Sequence, residues 1–565
     1  MPHGHEHDHD HHHEHHHHGA GQGAPDWADP ADDRPLSVSR RRFLAGVGAT
    51  GAAAVVAGPG AAAPASAAEA QVRTTNAWGP RRYLAGDHHI HTTYSPDAMY
   101  EVATQVAQAR RYGLDWVVMT DHGGVAHQKL SIDQITPEIE AARRAFKDVL
   151  VYQGLEWNIP GAEHATVFLP PGRRTVEVLK AFEGAYDGGI LADTGVIARS
   201  TSSEGEPYAL EALRFLEAQV LSGRVPIALM LANHPARRGI DSPHELRGWR
   251  DSAPGVAIGM EGAPGHQAAG IPVEQGGLGD DRGYYGGAPS PDSFPGYDPT
   301  EDENPYRTYG GFDWMTAKLG GVWDSLLAEG RGWWVTATSD SHQVHLDTRV
   351  QGPLDFEQYG QKGAPVETGT PQVRGDFWPG FYSSTVVGSR SRAYVDLMRG
   401  LQAGEVLAVH GRVIDGLDLR VRSLGEGDRR GVTLGGRTYV RRGDDVEVTA
   451  TVHLAGGPNF SGEIPRLAKV DLIAGPVTGP AVDRDTMTAP GTQLVDTFEV
   501  PSRRRGTFRV KYVFRDVDGP FYLRLRGSDG NRLTADGGPV QDVPGDADPW
   551  SDLWFYANPV FVDVL

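Results

Sequence analysis

Seven short apolar runs, each abutting a histidine or a carboxylate, constrain this chain more than any single motif. Tyr83–His91 ends in His89 and His91, Asp115–His122 in His122, and Val149–Glu156 in Glu156. The run Ala-Thr-Val-Phe-Leu opens directly after His164, and Val225–His234 ends in His234. Gly255–Glu261 ends in Glu261, and Gly332–His342 in Asp340 and His342. Helical stretches at Met99–Tyr112, Pro137–Phe146 and Ala209–Ser222 separate them, so the alternation reads as repeated βα units with parallel strands. Closed into a barrel, such strands bring their carboxyl ends to one face. Residues distant in sequence then converge on one polynuclear metal site.

The spacing within the runs agrees with that expectation. Alternate residues of an extended segment share a face, so His89 and His91 point one way, and Asp340 and His342 likewise. His88 falls on the opposite side as a structural residue. Of thirteen histidines beyond the leader, six occupy these positions; His88, His127, His244, His266, His345, His410 and His453 lack such placement and read as ordinary core or surface residues. The 565 residues include no cysteine, which excludes disulfides, thiolate metal sites and a cysteine nucleophile. Any metal must be held by imidazole and carboxylate, which suits Zn²⁺, Mn²⁺ or Fe²⁺. A net charge of -20 argues against binding to nucleic-acid duplexes.

The regions around this core differ in texture. Residues 1–36 include a His/Asp/Glu tract that cannot bury a core and reads as disordered; it is a chelating segment, an extension with incidental metal affinity, or a purification tag, against which the interleaved acidic residues argue. Residues 37–67 read as a twin-arginine signal peptide: Ser39-Arg40-Arg41-Arg42-Phe43-Leu44, an Ala/Gly/Val segment, and a small-residue cleavage site at Ala65-Ser66-Ala67. Pro59 and the many glycines argue against a permanent membrane span. The expectation is export by the twin-arginine machinery to an extracellular, periplasmic or cell-wall location. Residues 76–412 hold all seven donor-bearing runs. Within them 265–311 is a Gly/Pro/Asp/Tyr-rich insertion, a lid or a disordered loop. In 413–565, Val446, Val448, Ala450 and Val452 alternate with polar residues, as do Phe508, Val510, Tyr512 and Phe514, then Phe521, Leu523 and Leu525. That pattern predicts an all-β, sandwich-like domain, a structural or substrate-rim module.

The motifs Asp-His-His-Ile-His, Thr-Asp-His, Gly-Leu-Glu-Trp, Glu-His-Ala-Thr-Val-Phe, Ala-Asn-His-Pro and Ser-Asp-Ser-His, in this order between about Tyr83 and Asp415, resemble the polymerase-and-histidinol-phosphatase (PHP) family. The resemblance implies a distorted seven-stranded β/α barrel holding three divalent metals. It assigns His89, His91, Glu156 and Asp340 to one metal, and Glu156, His164 and His234 to a second. A third would take His122, His342 and Asp97, where relatives place histidine instead of Asp97. Asp87, Asp121 and Glu261 would support the donors from behind, Asp87 and Asp121 either orienting imidazoles or serving as ordinary turn carboxylates.

Three divalent cations set against Asp97, Glu156 and Asp340 leave a site of about +3, which fits a small phosphate ester. Metal coordination brings the pKa of water to about 7. A hydroxide bridging two metals, held through Glu156 and Asp340, would then attack phosphorus. Arg237 and Arg238 either fork onto phosphate oxygens or belong to a solvated loop. The expected function is a metal-dependent phosphoesterase favouring monoesters. Phosphodiester or cyclic-phosphate cleavage, amide or lactone hydrolysis, and a catalytically idle metal-bound adhesion protein are the alternatives.

Overall fold

Seven strands carry the donor-bearing runs in the computed structural model, which describes residues 75–283, 290–294, 308–425, 429–502, 504–546 and 548–565. The His-rich leader, the twin-arginine segment and most of 284–307 lie outside the described residues. After a short β1 (Thr75–Ala77) come β2 (Arg82–Asp87), β3 (Trp116–Met119), β4 (Leu150–Asn158), β5 (His164–Leu169), β6 (Leu229–Ala232), β7 (Ala257–Ala263) and β8 (Trp334–Ala337). β3, β6, β7 and β8 are buried at every position, as expected of strands covered on both faces. Helices Val102–Arg111, Ile132–Ala145, Thr175–Tyr186, Glu206–Leu221 and Pro243–Ser252 intervene between them.

The parallel expectation holds for β2–β3–β4 and for β6–β7–β8 but fails at β5, which is antiparallel to both neighbours. Only Ile159–Glu163 separates β4 from β5. A parallel return needs a crossover of a dozen or more residues, so the chain must turn back as a hairpin. His164 is the first residue of β5 and pairs with Asn158 at the end of β4. The reversal therefore delivers its imidazole to the same end of the sheet as the other donors.

The expected barrel is not closed. The free edge of β2 is taken by β11 (Ser383–Ser389), running antiparallel. Among the described residues no strand pairs with the outer edge of β8. Side chains satisfy that edge instead: Thr385 Oγ1 lies 3.0 Å from the N–H and 2.8 Å from the carbonyl of Ala337, and Asn558 brackets Val335 at 2.9 Å on both groups. Across the seam, Ile90 and Ser341 form an isolated parallel bridge at the mouth.

Beyond a two-stranded ribbon of β9 (Arg349–Val350) and β10 (Val366–Glu367), the sheet continues from β11 into β12 (Val406–His410). Then follow β13 (Ile414–Ser423), β14 (Val432–Val440), β15 (Val446–Leu454), β16 (Lys469–Pro476), β17 (Gln493–Glu499), β18 (Thr507–Phe514), β19 (Phe521–Ser528), β20 (Trp554–Ala557) and β21 (Val560–Val564). Val446, Val448, Ala450 and Val452 face a second core with Leu419, Val421, Leu523 and Leu525, as their alternation predicts. These strands do not form a sheet of their own. β20 pairs with β12 and β19, β1 pairs with β14, and Tyr522, Trp554, Tyr556 and Phe561 belong to the same apolar core as β3–β8. The described residues fall within one compact unit. No helix among them is long and apolar enough to cross a membrane.

Candidate metal centre

The nine donors implied by the sequence meet at one mouth of the sheet. His89 and His91 follow β2, and Gly86 on β2 lets the strand press against β3, because a Cβ there would sit 2.1 Å from the Trp116 ring. His122 lies beyond β3, Glu156 near the end of β4, His164 at the start of β5, His234 beyond β6, and Asp340 and His342 beyond β8. His234 and Asp340 adopt left-handed backbone conformations, with φ of 31° and 47°. Such strain collects at functional sites because the surrounding structure must over-determine it.

Glu156 is the hub. Its Oε1 lies 3.0 Å from His89 Nε2, 3.2 Å from His164 Nδ1 and 3.2 Å from His234 Nε2; its Oε2 lies 2.8 Å from His122 Nδ1 and 3.5 Å from His91 Nε2. Asp340 Oδ1 lies 3.0 Å from His89 Nε2 and 3.1 Å from His91 Nε2. Asp97 Oδ2 reaches His122 Nε2 at 3.1 Å, and its other oxygen stands 3.6 Å from His342. Three donor groups gather with ligand atoms within 4.8 Å of one another: His89, His91 and Asp340; His122, Glu156 and His164; and His91, Asp97, His122 and His342. His234 joins through Glu156.

The proton positions on His89 and His91 test whether a cation fits. Glu261 Oε1 accepts from His89 Nδ1 at 2.7 Å. Ser95 Oγ spends its proton on Asp121, so it must accept from His91 Nδ1 at 2.9 Å. In the neutral rings both Nε2 atoms then carry lone pairs, yet they face each other at 3.0 Å beside Asp340 Oδ1 and Glu156 Oε1. Asp340 Oδ1 is buried and accepts no hydrogen bond of proper angle. Asn233 Nδ2 donates to Glu156 Oε1 at 3.0 Å and approaches His89 Nε2 at 3.3 Å, yet His91 Nε2 and Asp340 Oδ1 still face each other at 3.1 Å, and this convergence of electron pairs fits a cation held between them. Titration tendencies agree: burial pushes His89 down, but Asp340, Glu156 and Glu261 outweigh it and hold it well above its ordinary value. Burial raises Glu156 and Asp340, but the surrounding imidazoles hold both carboxyls well below theirs. Imidazole with carboxylate and no thiolate suits a divalent ion of the Zn²⁺, Mn²⁺ or Fe²⁺ kind.

Behind the donors, the three supporting carboxylates do different work. Glu261 holds His89 Nδ1 with one oxygen and the His234 N–H at 2.6 Å with the other. Asp121 accepts from the Thr92 N–H, Thr92 Oγ1 and Ser95 Oγ, orienting His91 through Ser95. Asp87 orients no imidazole. It accepts the backbone N–H groups of His89 and Ser339, both at 3.0 Å, and so ties the β2 and β8 ends together across the open seam. Burial pushes the Asp87 carboxyl up to about 7. His88 hydrogen-bonds Thr166 and Thr336 and stays out of the centre.

The centre opens into a cavity of about 700 Å³. Arg237 lies on its wall, 3.4 Å from Glu163, whereas Arg238 is exposed and is not among the lining residues. Two groups that sequence reasoning passed over also line it, His266 and Asp376. The signal for His266 was its place five residues after Glu261, in the pattern of the other donors; nothing in the sequence marked Asp376. The segment containing His266 is the expected insertion. Of its described residues, 265–283 run along the cavity with two 3₁₀ turns and contribute Leu278, Asp280 and Asp281.

Residues 87–200 match the PHP domain model; this stretch carries His89, His91, Asp97, His122, Glu156 and His164. Among solved structures, a two-domain protein from Bacteroides vulgatus, described as containing a predicted PHP-like metal-dependent phosphoesterase, is 14% identical, covers 84% of this chain and 98% of its own, and superposes with a TM-score of 0.31. A protein from Bifidobacterium adolescentis, described as a candidate metal-dependent phosphoesterase, is 17% identical over 31% of this chain and 76% of its own, with a TM-score of 0.18. No curated protein matches the sequence.

Proposed function

We propose that this protein is an exported metal-dependent phosphoesterase that favours phosphate monoesters. The observation that carries the reading is the convergence of His89, His91, Glu156 and Asp340 as facing electron-pair donors, flanked by His122, His164, His234, His342 and Asp97. His89, His91, Glu156 and Asp340 would hold one divalent ion, Glu156, His164 and His234 a second, and His122, His342 and Asp97 a third. Bound ions would supply Lewis acidity at the phosphoryl oxygens and bring the pKa of water near 7.

The chain's own residues determine how substrate meets that chemistry. Glu156 and Asp340 fix the donor geometry from opposite sides of the seam. Arg237, which lines the cavity 3.4 Å from Glu163, would fork onto phosphoryl oxygens. Six carboxylates and two guanidiniums line the cavity, so cations must be present before it can attract an anion. A dianionic monoester gains most from the resulting charge, which favours it over a diester. Export rests on the Arg40-Arg41 motif and the small-residue cleavage site downstream.

The test is hydrolysis by purified, metal-loaded protein of p-nitrophenyl phosphate and bis(p-nitrophenyl) phosphate, beside carboxylic esters and lactones. Phosphate release that chelator abolishes and Asp340→Ala eliminates supports the reading. Faster cleavage of the bis-ester moves the assignment to a phosphodiesterase. Metal binding with no turnover of any ester overturns it in favour of a binding protein. Export is tested by fusing residues 1–75 to a reporter and replacing Arg40 and Arg41 with lysine; retention of transport refutes that part.

A further inference from the structure

We propose that His266 is a tenth metal donor, the seventh imidazole of the set, held by Asp376 so that its Nε2 complements the second oxygen of Asp340. The inference rests on the metal-centre reading above and extends its donor set by a residue outside the nine.

One arrangement of carboxylate and histidine occurs twice around the centre. Glu261 grips one donor histidine by Nδ1, that of His89, and uses its other oxygen to accept the backbone N–H of a second, His234. Asp376 repeats the arrangement: Oδ1 accepts from His266 Nδ1, while Oδ2 accepts the backbone N–H of His342 at 2.7 Å and of Gln343 at 3.2 Å. A carboxylate on one ring nitrogen fixes an imidazole's orientation and raises the basicity of the other nitrogen toward a metal. In His266 that other nitrogen, Nε2, lies 3.4 Å from Asp340 Oδ2. Asp340 Oδ1 already faces His89 and His91, so Oδ2 with His266 forms a second donor pair on the same carboxylate.

The backbone is built for this approach. His266 has a φ of 56°, in the left-handed region shared by His234 and Asp340. Gly265 brings it against the Asp340 loop so closely that a Cβ would lie 2.3 Å from Asp340 Cβ and from the Ser339 carbonyl. His266, Asp340, His342 and Asp376 all line the one cavity.

The experiment is Co²⁺ binding to the full metal-free chain, read by stoichiometry, by chelator competition and by the visible absorption of the bound ion. His266→Phe, which removes the donor, should weaken the affected ion about 10- to 100-fold and change the Co²⁺ spectrum. His266→Asp, which restores an oxygen donor, should recover part of both. Asp376→Asn should shift affinity in the same direction as His266→Phe, and it carries the test if His266→Phe fails to fold. Equal stoichiometry, affinity and spectrum in wild type, His266→Phe and Asp376→Asn overturns the proposal while leaving the nine-donor centre intact. Failure of wild type to bind Co²⁺ overturns both.

Discussion

Replacing Glu261 with glutamine isolates what a carboxylate behind the donors contributes. Glu261 is fully buried, accepts His89 Nδ1 at 2.7 Å, Thr338 Oγ1 at 2.8 Å and the His234 N–H at 2.6 Å, and never touches the cavity itself. Burial raises its carboxyl, but His89, His234 and His88 outweigh it and hold it below its ordinary value, so the group is an anion in place. Glutamine keeps the shape and removes the charge. Hydrogen bonds to charged groups contribute about 1.5–3 kcal/mol, against about 0.5–1.5 for neutral ones, so the His89 contact should weaken by about 1–2 kcal/mol. Loss of such an outer carboxylate typically costs about 10- to 100-fold in metal affinity, or about 1.4–2.7 kcal/mol, which agrees. The amide also cannot accept on both sides. With its oxygen toward His89, its NH₂ meets the His234 N–H, a buried donor–donor contact costing about 1–3 kcal/mol of folding stability. Chelator competition reads the first effect, and urea unfolding in excess chelator reads the second. Glu261→Gln with wild-type metal affinity would refute the reasoning, because the tautomer of His89 would then not depend on Glu261.

Other outcomes follow from the same geometry. In the metal-free protein, burial lowers His266 but Asp376 outweighs it and raises it from 6.5 to about 9. A proton held more tightly in the folded state stabilises fully below the unfolded value and fades as pH rises through the folded one. The unfolding free energy lost in His266→Gln should therefore be largest below 6.5 and vanish above about 9; a difference that grows with pH contradicts the assignment. Inorganic phosphate should bind only after metal is added, since six carboxylates line the cavity against two guanidiniums, and calorimetric binding to the chelated protein would falsify this charge balance. Gly259→Ala should lower the urea midpoint, because a Cβ there lies 2.1 Å from the Trp334 carbonyl between β7 and β8, and overpacking of this kind costs about 1–3 kcal/mol. A chain ending at residue 412 should remain protease-sensitive, because Trp554, Tyr556, Tyr522 and Phe561 would be missing from its core; a stable fragment would mean that the two regions fold independently.

What could be read in advance follows the physics of buried strands. A strand covered on both faces must be apolar along its length, so β3, β6 and β8 stood out as continuous runs, and the polar residue ending each run marked the mouth. The reversal of β5 was missed: the runs were read as parallel throughout, although Ile159–Glu163, once the strand ends are fixed, is too short for a crossover helix. Barrel closure was not legible either. It turns on which groups occupy the edge of β8, and those are Thr385 and Asn558, brought in from remote parts of the chain. His266 and Asp376 escaped for a similar reason. The apolar run before His266 already ends in Glu261, and no apolar run leads to Asp376, which reaches the centre on an irregular segment fixed by the Val344–Asp376 bridge and the bonds to His342 and Gln343.

The bracket that Asn558 places on Val335 has a consequence for biogenesis. β8 aims Asp340 and His342, yet its outer edge is completed only when residue 558 arrives, and β20 must first slot beside β12 to bring it there. A nascent chain that has exposed every donor histidine still lacks a finished strand on which to mount two of them. On the metal-centre reading, the mount for Asp340 and His342 would thus be complete only once the final strands are in place.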